Sequence, residues 1–327
     1  MTKTIGWGII GLGNIAHSFA KDLELVNGGR LVGVASRSLD KAVEFGNLYK
    51  ADYQFGSYEE LFRCKEIDVV YIATPHTSHA ELSVMAMNMG KGVLCEKPFG
   101  INSLEVEKMI AAAEQNGVFL MEAMWSRFNP SIKKVKQLIA EGNIGKVGYL
   151  HADFAFYALD RSEQGRLLNP ALAGGSLLDI GIYPIFLSYL MLGSPDSIEA
   201  ISNFHTTGVE VQTSMIFNYP SAQALLYSGL NSNSEMKAQI AGSEGSLFLH
   251  SRWHQSQGYS LEKDGELHQF ELPTTGKGYS HEIEEVHHCL NQNQKQSKLW
   301  SLEDSRNLMA IMDEIRQKCG ISFPSEV

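Results

Sequence analysis

Apolar residues recur along this chain in two rhythms. Through the first third, short unbroken apolar or β-branched runs at Ile5–Ile10, 31–35, 68–73, 92–95 and 118–121 alternate with segments whose apolar positions return every three or four residues. These segments cover 39–50, 58–64 and Ser103–Asn116, with a further helix opened by His79 and a short strand at Tyr53–Phe55. Unbroken runs suit strands buried on both faces, and their alternation with helices predicts a parallel, doubly wound sheet with right-handed crossovers. Beyond Glu122 the rhythm changes. Segments 147–157, 211–219, 222–230 and 239–249 are strand-like and alternating, and the turn pairs Tyr219-Pro220 and Asp264-Gly265 fall between strand-like stretches. That pattern predicts a second, mainly antiparallel open sheet. The fold class is therefore α/β, with one domain over 1–122 and an α+β domain over 123–327 whose last helical segment, 302–318, packs on a domain surface near the first domain.

The first run leads straight into Gly11, Leu12, Gly13, Asn14, Ile15 and Ala16 at the start of a helical pattern. A G-x-G-x-x-A sequence between strand and helix is the dinucleotide fingerprint of a Rossmann domain. Gly11 permits the tight turn, Gly13 lets the backbone approach a pyrophosphate, and Ala16 lets helix and strand come close; Asn14 and Ile15 start the helix whose free N–H groups face the anion. The run 31–35 ends in Ser36 and Arg37, where an Asp or Glu would otherwise hold a ribose 2′-hydroxyl. A hydroxyl followed by a guanidinium suits a 2′-phosphate, with Lys41 adding charge, so NADP is the expected cofactor and NAD the alternative. Ligands of doubly wound sheets lie at the carboxyl ends of the strands. That rule makes Thr74, Pro75 and His79, after 68–73, and Glu96 and Lys97, after 92–95, further candidate cofactor contacts.

Composition narrows the remaining classes. The chain has 327 residues, long enough for two cores, 44% hydrophobic residues and 20% charged ones, as in a globular protein. A formal net charge of -10 without a basic patch argues against nucleic acid. No membrane span and no signal pattern are read from the sequence, and a cytoplasmic location is expected. Cys64, Cys95, Cys289 and Cys319 show no metal-ligand spacing, and His287 and His288, side by side on a helix, make poor joint ligands, so no metal is expected.

The second half holds one unusual stretch. Residues 174–193, GGSLLDIGIYPIFLSYLMLG, form an apolar helix-length run with a single acid. Asp179 and Tyr183 are four apart and share a helix face. A carboxylate among Leu177, Leu178, Ile180 and Ile182 needs a cation, for which Lys97 is the candidate, and an ammonium beside a phenol favours the phenolate. Lys97, Tyr183 and Asp179 thus form a candidate proton-transfer set. The segment Met121 to Pro130 crosses the expected domain boundary; there Trp125 offers an apolar wall and Arg127 a polar hold for a substrate, with Phe154 on a nearby strand.

With GLGNIA, the CEKPFG of residues 95–100, MEAMWSRFNP and GGSLLDIGIYP in this order, the chain resembles the glucose-fructose oxidoreductase and inositol dehydrogenase (Gfo/Idh/MocA) family over essentially its whole length. It looks most like the branch of dimeric dihydrodiol and NADP-dependent D-xylose dehydrogenases, because Tyr183 stands where much of the wider family has a histidine. The resemblance implies catalytic roles for Lys97 and Tyr183, a supporting one for Asp179, and a homodimer or higher homo-oligomer formed through the second sheet. It also implies hydride transfer between a nicotinamide and a secondary alcohol or carbonyl of a sugar, cyclic polyol or diol. Inositol oxidation, anhydro-sugar reduction and a non-catalytic dinucleotide-sensing regulator are the alternatives.

Overall fold

The computed structural model describes residues 3–326. Two compact units result: one runs to Trp125 and takes up Thr275–Arg306, the other comprises Ser126–Thr274 and the chain from Asn307. The expected boundary after residue 122 thus lies three residues early, and the later return of the chain to the first unit is not visible in the strand pattern.

In the first unit, β1 (Ile5–Ile10), α1 (Asn14–Leu23), β2 (Gly29–Ala35), α2 (Leu39–Tyr49), β3 (Tyr53–Phe55) and α3 (Tyr58–Arg63) alternate as predicted. They are followed by β4 (Val69–Ile72), α4 (His79–Asn88), β5 (Gly92–Glu96), α5 (Ser103–Asn116) and β6 (Leu120–Ala123). The strands are parallel in the order β3-β2-β1-β4-β5-β6. Every residue of β1, β4 and β5 is buried, as their unbroken apolar runs require. The order reverses between β1 and β4, which makes the ends of these two strands the crevice of the sheet. On one face Phe19 of α1 stacks on Tyr71 of β4 with ring centroids 3.7 Å apart, and it meets Trp7 of β1 edge-on at 5.2 Å.

In the second unit, Pro130 starts α6 (Pro130–Ala140), and the Asn129 side chain accepts the N–H groups of Ser131 and Ile132. Then come β7 (Val147–Ala155), α7 (Ile182–Leu192), β8 (Ser197–Phe204), β9 (Glu210–Asn218), β10 (Gln223–Gly229), β11 (Ala238–Gly242), β12 (Gly245–Leu249), β13 (Gly258–Lys263) and β14 (Glu266–Glu271). The sheet order is β14-β13-β12-β11-β7-β10-β9-β8, antiparallel except where β7 and β10 run parallel. The single predicted strand 239–249 is a hairpin, β11 and β12, turning between Gly242 and Gly245. The predicted Asp264-Gly265 turn joins β13 to β14 with both residues at positive φ, 55° and 81°, the geometry that matches strand twist.

Pro170–Leu192, which covers nearly all of the apolar run 174–193, is long and apolar enough to cross a membrane, but 83% of its apolar window is buried inside the protein, the mark of a core segment.

The chain returns to the first unit through α8 (Tyr279–Asn291). Asp22, 2% exposed at the end of α1, accepts the backbone N–H groups of Lys277, Tyr279 and Ser280 at 2.9–3.2 Å and so holds the start of this helix. Trp7 adds a second tie, donating its indole N–H to His287 Nε2 at 2.9 Å. After α8, Lys295 gives its carbonyl to Leu120 N at 3.0 Å beside β6. The final helix is α9 (Leu302–Cys319), and the division between the units falls inside it.

Candidate active site

The crevice at the ends of β1 and β4 is shaped for a dinucleotide. Gly11 sits at φ 79°, and a Cβ there would lie 2.4 Å from the Ala73 carbonyl, so only glycine fits. Gly13 has open space beside it, its backbone is extended, and α1 starts there without a side-chain cap. The first N–H groups of α1 thus remain for an anion, and Asn14 and Ile15 are exposed beside them. Thr74, whose backbone N lies against Gly11, adds a buried hydroxyl that makes no hydrogen bond among the described residues. A glycine cradle, an uncapped helix start and an orphaned hydroxyl fit a pyrophosphate and its ribose. At the end of β2, Arg37 is exposed and Ser36 Oγ accepts from Ser38 N at 3.3 Å. Pro75 is exposed.

Two candidate contacts have other engagements. His79 is fully buried, and its ring nitrogens lie 2.8 Å from the carbonyl oxygens of Pro98 and Thr74. Burial pushes its pKa down. It ties the ends of β4 and β5 together. The Glu96 carboxyl accepts the Tyr71 hydroxyl. Burial pushes Glu96 up to about 7, partly offset by that bond and by the Lys97 charge.

Lys97 precedes a cis Pro98 at the end of β5. The turn that follows is held from behind by Glu122, 2% exposed. Glu122 accepts Phe99 N at 3.1 Å on one oxygen, and Trp300 Nε1 at 3.0 Å and Ser305 Oγ at 2.7 Å on the other. Burial raises its pKa, and Lys97 pulls it down. Lys97 therefore stands in the electrostatic reach of two buried carboxyls, Glu96 and Glu122. Trp125, 7% exposed, stacks on Tyr279 with centroids 5.0 Å apart.

In the second unit Asp179 lies on a single π turn, Leu177–Gly181, directly before α7. Pro184 has no N–H for the ordinary helical bond to Ile180, consistent with a widened first turn. Glu210 fixes where the turn begins, accepting Ser176 Oγ at 2.5 Å, Leu177 N at 2.9 Å and Thr213 Oγ1 at 2.7 Å. The cation that the buried Asp179 requires is supplied within this unit by Arg166, whose Nη1 donates to Oδ1 at 2.6 Å. Sequence reasoning missed Arg166 because it sits in an irregular loop thirteen positions upstream.

Tyr183, 5% exposed, is walled by rings: Phe154 at 5.4 Å and His254 at 5.3 Å, with Phe154 stacked on His254 at 4.3 Å. His254 was also missed. It rides on a short turn, Trp253–Gln255. Ser126 Oγ holds that turn through the His254 carbonyl at 2.6 Å, Asn129 through the Ser256 carbonyl at 3.0 Å, and the Trp253 indole bonds the Asp153 carbonyl at 2.9 Å. The segment 121–130 thus contributes Ser126 and Asn129 as supports. Arg127 in the same segment is 7% exposed.

One unit offers a nucleotide cradle with a lysine at a neighbouring strand end, the other a ring-walled phenol beside a carboxylate, the equipment of a nucleotide-dependent oxidoreductase. The comparisons agree. Residues 5–124 match the oxidoreductase family with an NAD-binding Rossmann fold (GFO_IDH_MocA), and residues 132–248 match the Gfo/Idh/MocA C-terminal domain. The chain belongs to the Gfo/Idh/MocA family and is an NAD(P)-dependent oxidoreductase. It is 34% identical to the mouse (Mus musculus) trans-1,2-dihydrobenzene-1,2-diol dehydrogenase, over 98% of each chain. It is 32% identical to the human (Homo sapiens) protein of that name, again over 98% of each. Among solved structures it is similar to KijD10, a 3-ketoreductase from Actinomadura kijaniata in complex with NADP and TDP-benzene. The two are 25% identical, with a TM-score of 0.87, over 97% of this chain and 98% of that one. An aldose-aldose oxidoreductase from Caulobacter crescentus shares the fold at 24% identity, with a TM-score of 0.89, over 97% of this chain and 98% of that one.

A buried acid beside Glu96 yields a pH prediction. Glu282 of α8 is fully buried, and neither carboxyl oxygen has a hydrogen-bond partner among the described residues. Burial first, then the charges of Glu96 and Asp22, push its pKa well above the ordinary value. The folded chain therefore holds a proton that the unfolded chain releases near pH ~4.3, and stability falls as pH rises above that value until the folded group ionises. Glu282→Gln should gain stability over the parent at pH 8 and lose most of that gain by pH 5, measured by urea unfolding. An equal difference at both values would show that Glu282 does not titrate this way.

Proposed function

We propose that the chain is a reversible NADP-dependent dehydrogenase and reductase acting on a secondary alcohol or carbonyl of a sugar, cyclic polyol or diol. The observation that carries this reading is the buried Tyr183 phenol, ring-walled and four residues past an ion-paired Asp179. The relatives' names support the substrate class: a dihydrodiol dehydrogenase and a 3-ketoreductase.

The bound nicotinamide supplies or accepts the hydride. In oxidation, Tyr183 Oη takes the hydroxyl proton as the carbon loses its hydride, and in reduction it returns that proton to the carbonyl oxygen. Lys97, assigned to the same oxygen, stabilises the charge that develops there and favours the phenolate. Phe154 and His254 present ring faces to the apolar side of the substrate, and Trp125 and Arg127 are assigned to its outer part. Tyr183→Phe and Lys97→Ala should each lower turnover by about 10²-fold or more, the scale of general acid–base catalysis, while NADPH still binds. Stopped-flow absorbance at the nicotinamide band, in both directions over pentoses, inositols and cyclic diols, checks this; near-normal turnover in Tyr183→Phe would remove the assignment.

The NADP preference rests on Ser36 and Arg37 at the end of β2. A guanidinium bonded to a phosphate contributes roughly 1.5–3 kcal/mol. Arg37→Ala should therefore weaken NADPH by about tenfold or more and leave NADH nearly unchanged, read by fluorescence titration, and equal losses would count against NADP.

We assign the open face of the second sheet to self-association. Ile201, Ile216 and Leu225 are exposed there, and the register places all three on one face. Ile216→Glu should shift the chain from dimer to monomer in sedimentation velocity; a monomeric parent would sink the assignment. Four free thiols suit a reducing, cytoplasmic location, which cell fractionation tests.

A further inference from the structure

Arg166 has no place in the mechanism above, yet it is built into the site. Its side chain is 53% exposed and that of Asp179 8%, so the pair joins an accessible cation to a buried acid. The loop carrying Arg166 is seated on the glycines that precede the π turn. A Cβ on Gly174 would lie within 3.0 Å of the carbonyl oxygens of Arg166, Leu167 and Asn169. Gly174 N donates to Asn169 O at 3.1 Å and Gly175 N to Leu167 O at 3.0 Å, and Leu167 and Leu168 are buried. A surface arginine on a free loop would have none of this.

We propose that Arg166 is a positioning residue for Tyr183: through Asp179 it fixes the turn that presents the phenol, and its charge offsets the carboxylate that would otherwise repel the phenolate. Among the described residues, the titratable groups near the ring within this unit include Asp179 on the π turn, Arg166 from the loop and His254 from the 253–255 turn, while Phe154 is apolar. The Asp179 and Tyr183 charges both favour the Arg166 cation. The coupling is mutual: what the phenolate does for the guanidinium, the guanidinium does for the phenolate. Without Arg166, Asp179 loses the 2.6 Å ion pair it makes within this unit, four residues before the phenol.

The inference rests on Tyr183 as the acid–base residue, and its test is independent of turnover. The full chain, with [4-¹³C]tyrosine incorporated and NADP bound, is titrated by NMR, and the Tyr183 resonance is assigned by its loss in Tyr183→Phe. Arg166→Met should move the Tyr183 midpoint upward by about one pH unit, the scale for losing a neighbouring opposite charge. Arg166→Lys should keep it within a few tenths of the parent, and Arg166→Met with Asp179→Asn should bring it back down. NADPH affinity and the circular-dichroism melt report whether either variant has lost its fold. An unmoved midpoint in a folded Arg166→Met overturns the proposal even if Tyr183→Phe abolishes turnover. A shifted midpoint with full turnover in Tyr183→Phe would keep the coupling and overturn the mechanism instead.

Discussion

A carboxylate removed from water must find donors, and this chain uses that requirement as its main fastening. Asp22 takes three backbone N–H groups at the start of α8, Glu122 takes Phe99 N behind Lys97, and Glu210 takes Leu177 N at the head of the π turn. Asp153 takes Met236 N and Lys237 N, just before the strand that pairs with β7. Bonds to an ionised acceptor contribute roughly 1.5–3 kcal/mol each, against a desolvation cost of several kcal/mol for a buried carboxylate. The net gain in stability is therefore modest, but the gain in position is large, because a carboxylate with several donors fits only one backbone arrangement.

Two of these fastenings, and a third made by neutral groups, lie beside a residue with a chemical assignment. Lys97 is two residues from the amide that Glu122 holds, and Asp179 is two residues from the amide that Glu210 holds. His254 is held on both sides by Ser126, Asn129 and the Trp253 indole. Reacting groups held within about half an ångström of a productive geometry need supports whose own positions are fixed, and these carboxylates and amides supply them. Glu282 is the exception, a buried acid with no donor among the described residues, and it stays protonated where the others are anchors.

Whatever was legible in the sequence came from local pattern. The strand-end crevice follows from Gly11 and the buried runs on either side, and the pairing of Asp179 with Tyr183 on one face follows from helical spacing. Residues whose position depends on tertiary contact were not legible. His254 reaches Phe154 only because segment 253–255 folds against Ser126 and Asn129, more than a hundred positions away. Arg166 meets Asp179 because a loop settles on Gly174, and α8 joins the first unit because Asp22 accepts its amides. The tie that His79 makes is of the same kind: a histidine opening a helix at a strand end gives no local sign that both its nitrogens lie on carbonyls. Spacing alone found the need of Asp179 for a cation, but not the identity of the partner inside its own unit.

The charge arrangement in the second unit bears on the kind of molecule it suits. Arg166 and Asp179 pair with one another, and the walls around the phenol include Phe154 and His254. A site built to hold an anionic substrate would leave a guanidinium uncompensated, because a phosphate or carboxylate is recognised by a fork free to bond it. Here the Arg166 fork is already committed on one edge to a carboxylate, so this pair itself brings little net positive charge. Flat ring faces instead match the C–H faces of a cyclic polyol or diol. Neutral, hydroxyl-rich rings are what such a surface discriminates best, since an analogue lacking the hydroxyl would leave buried polar groups without partners.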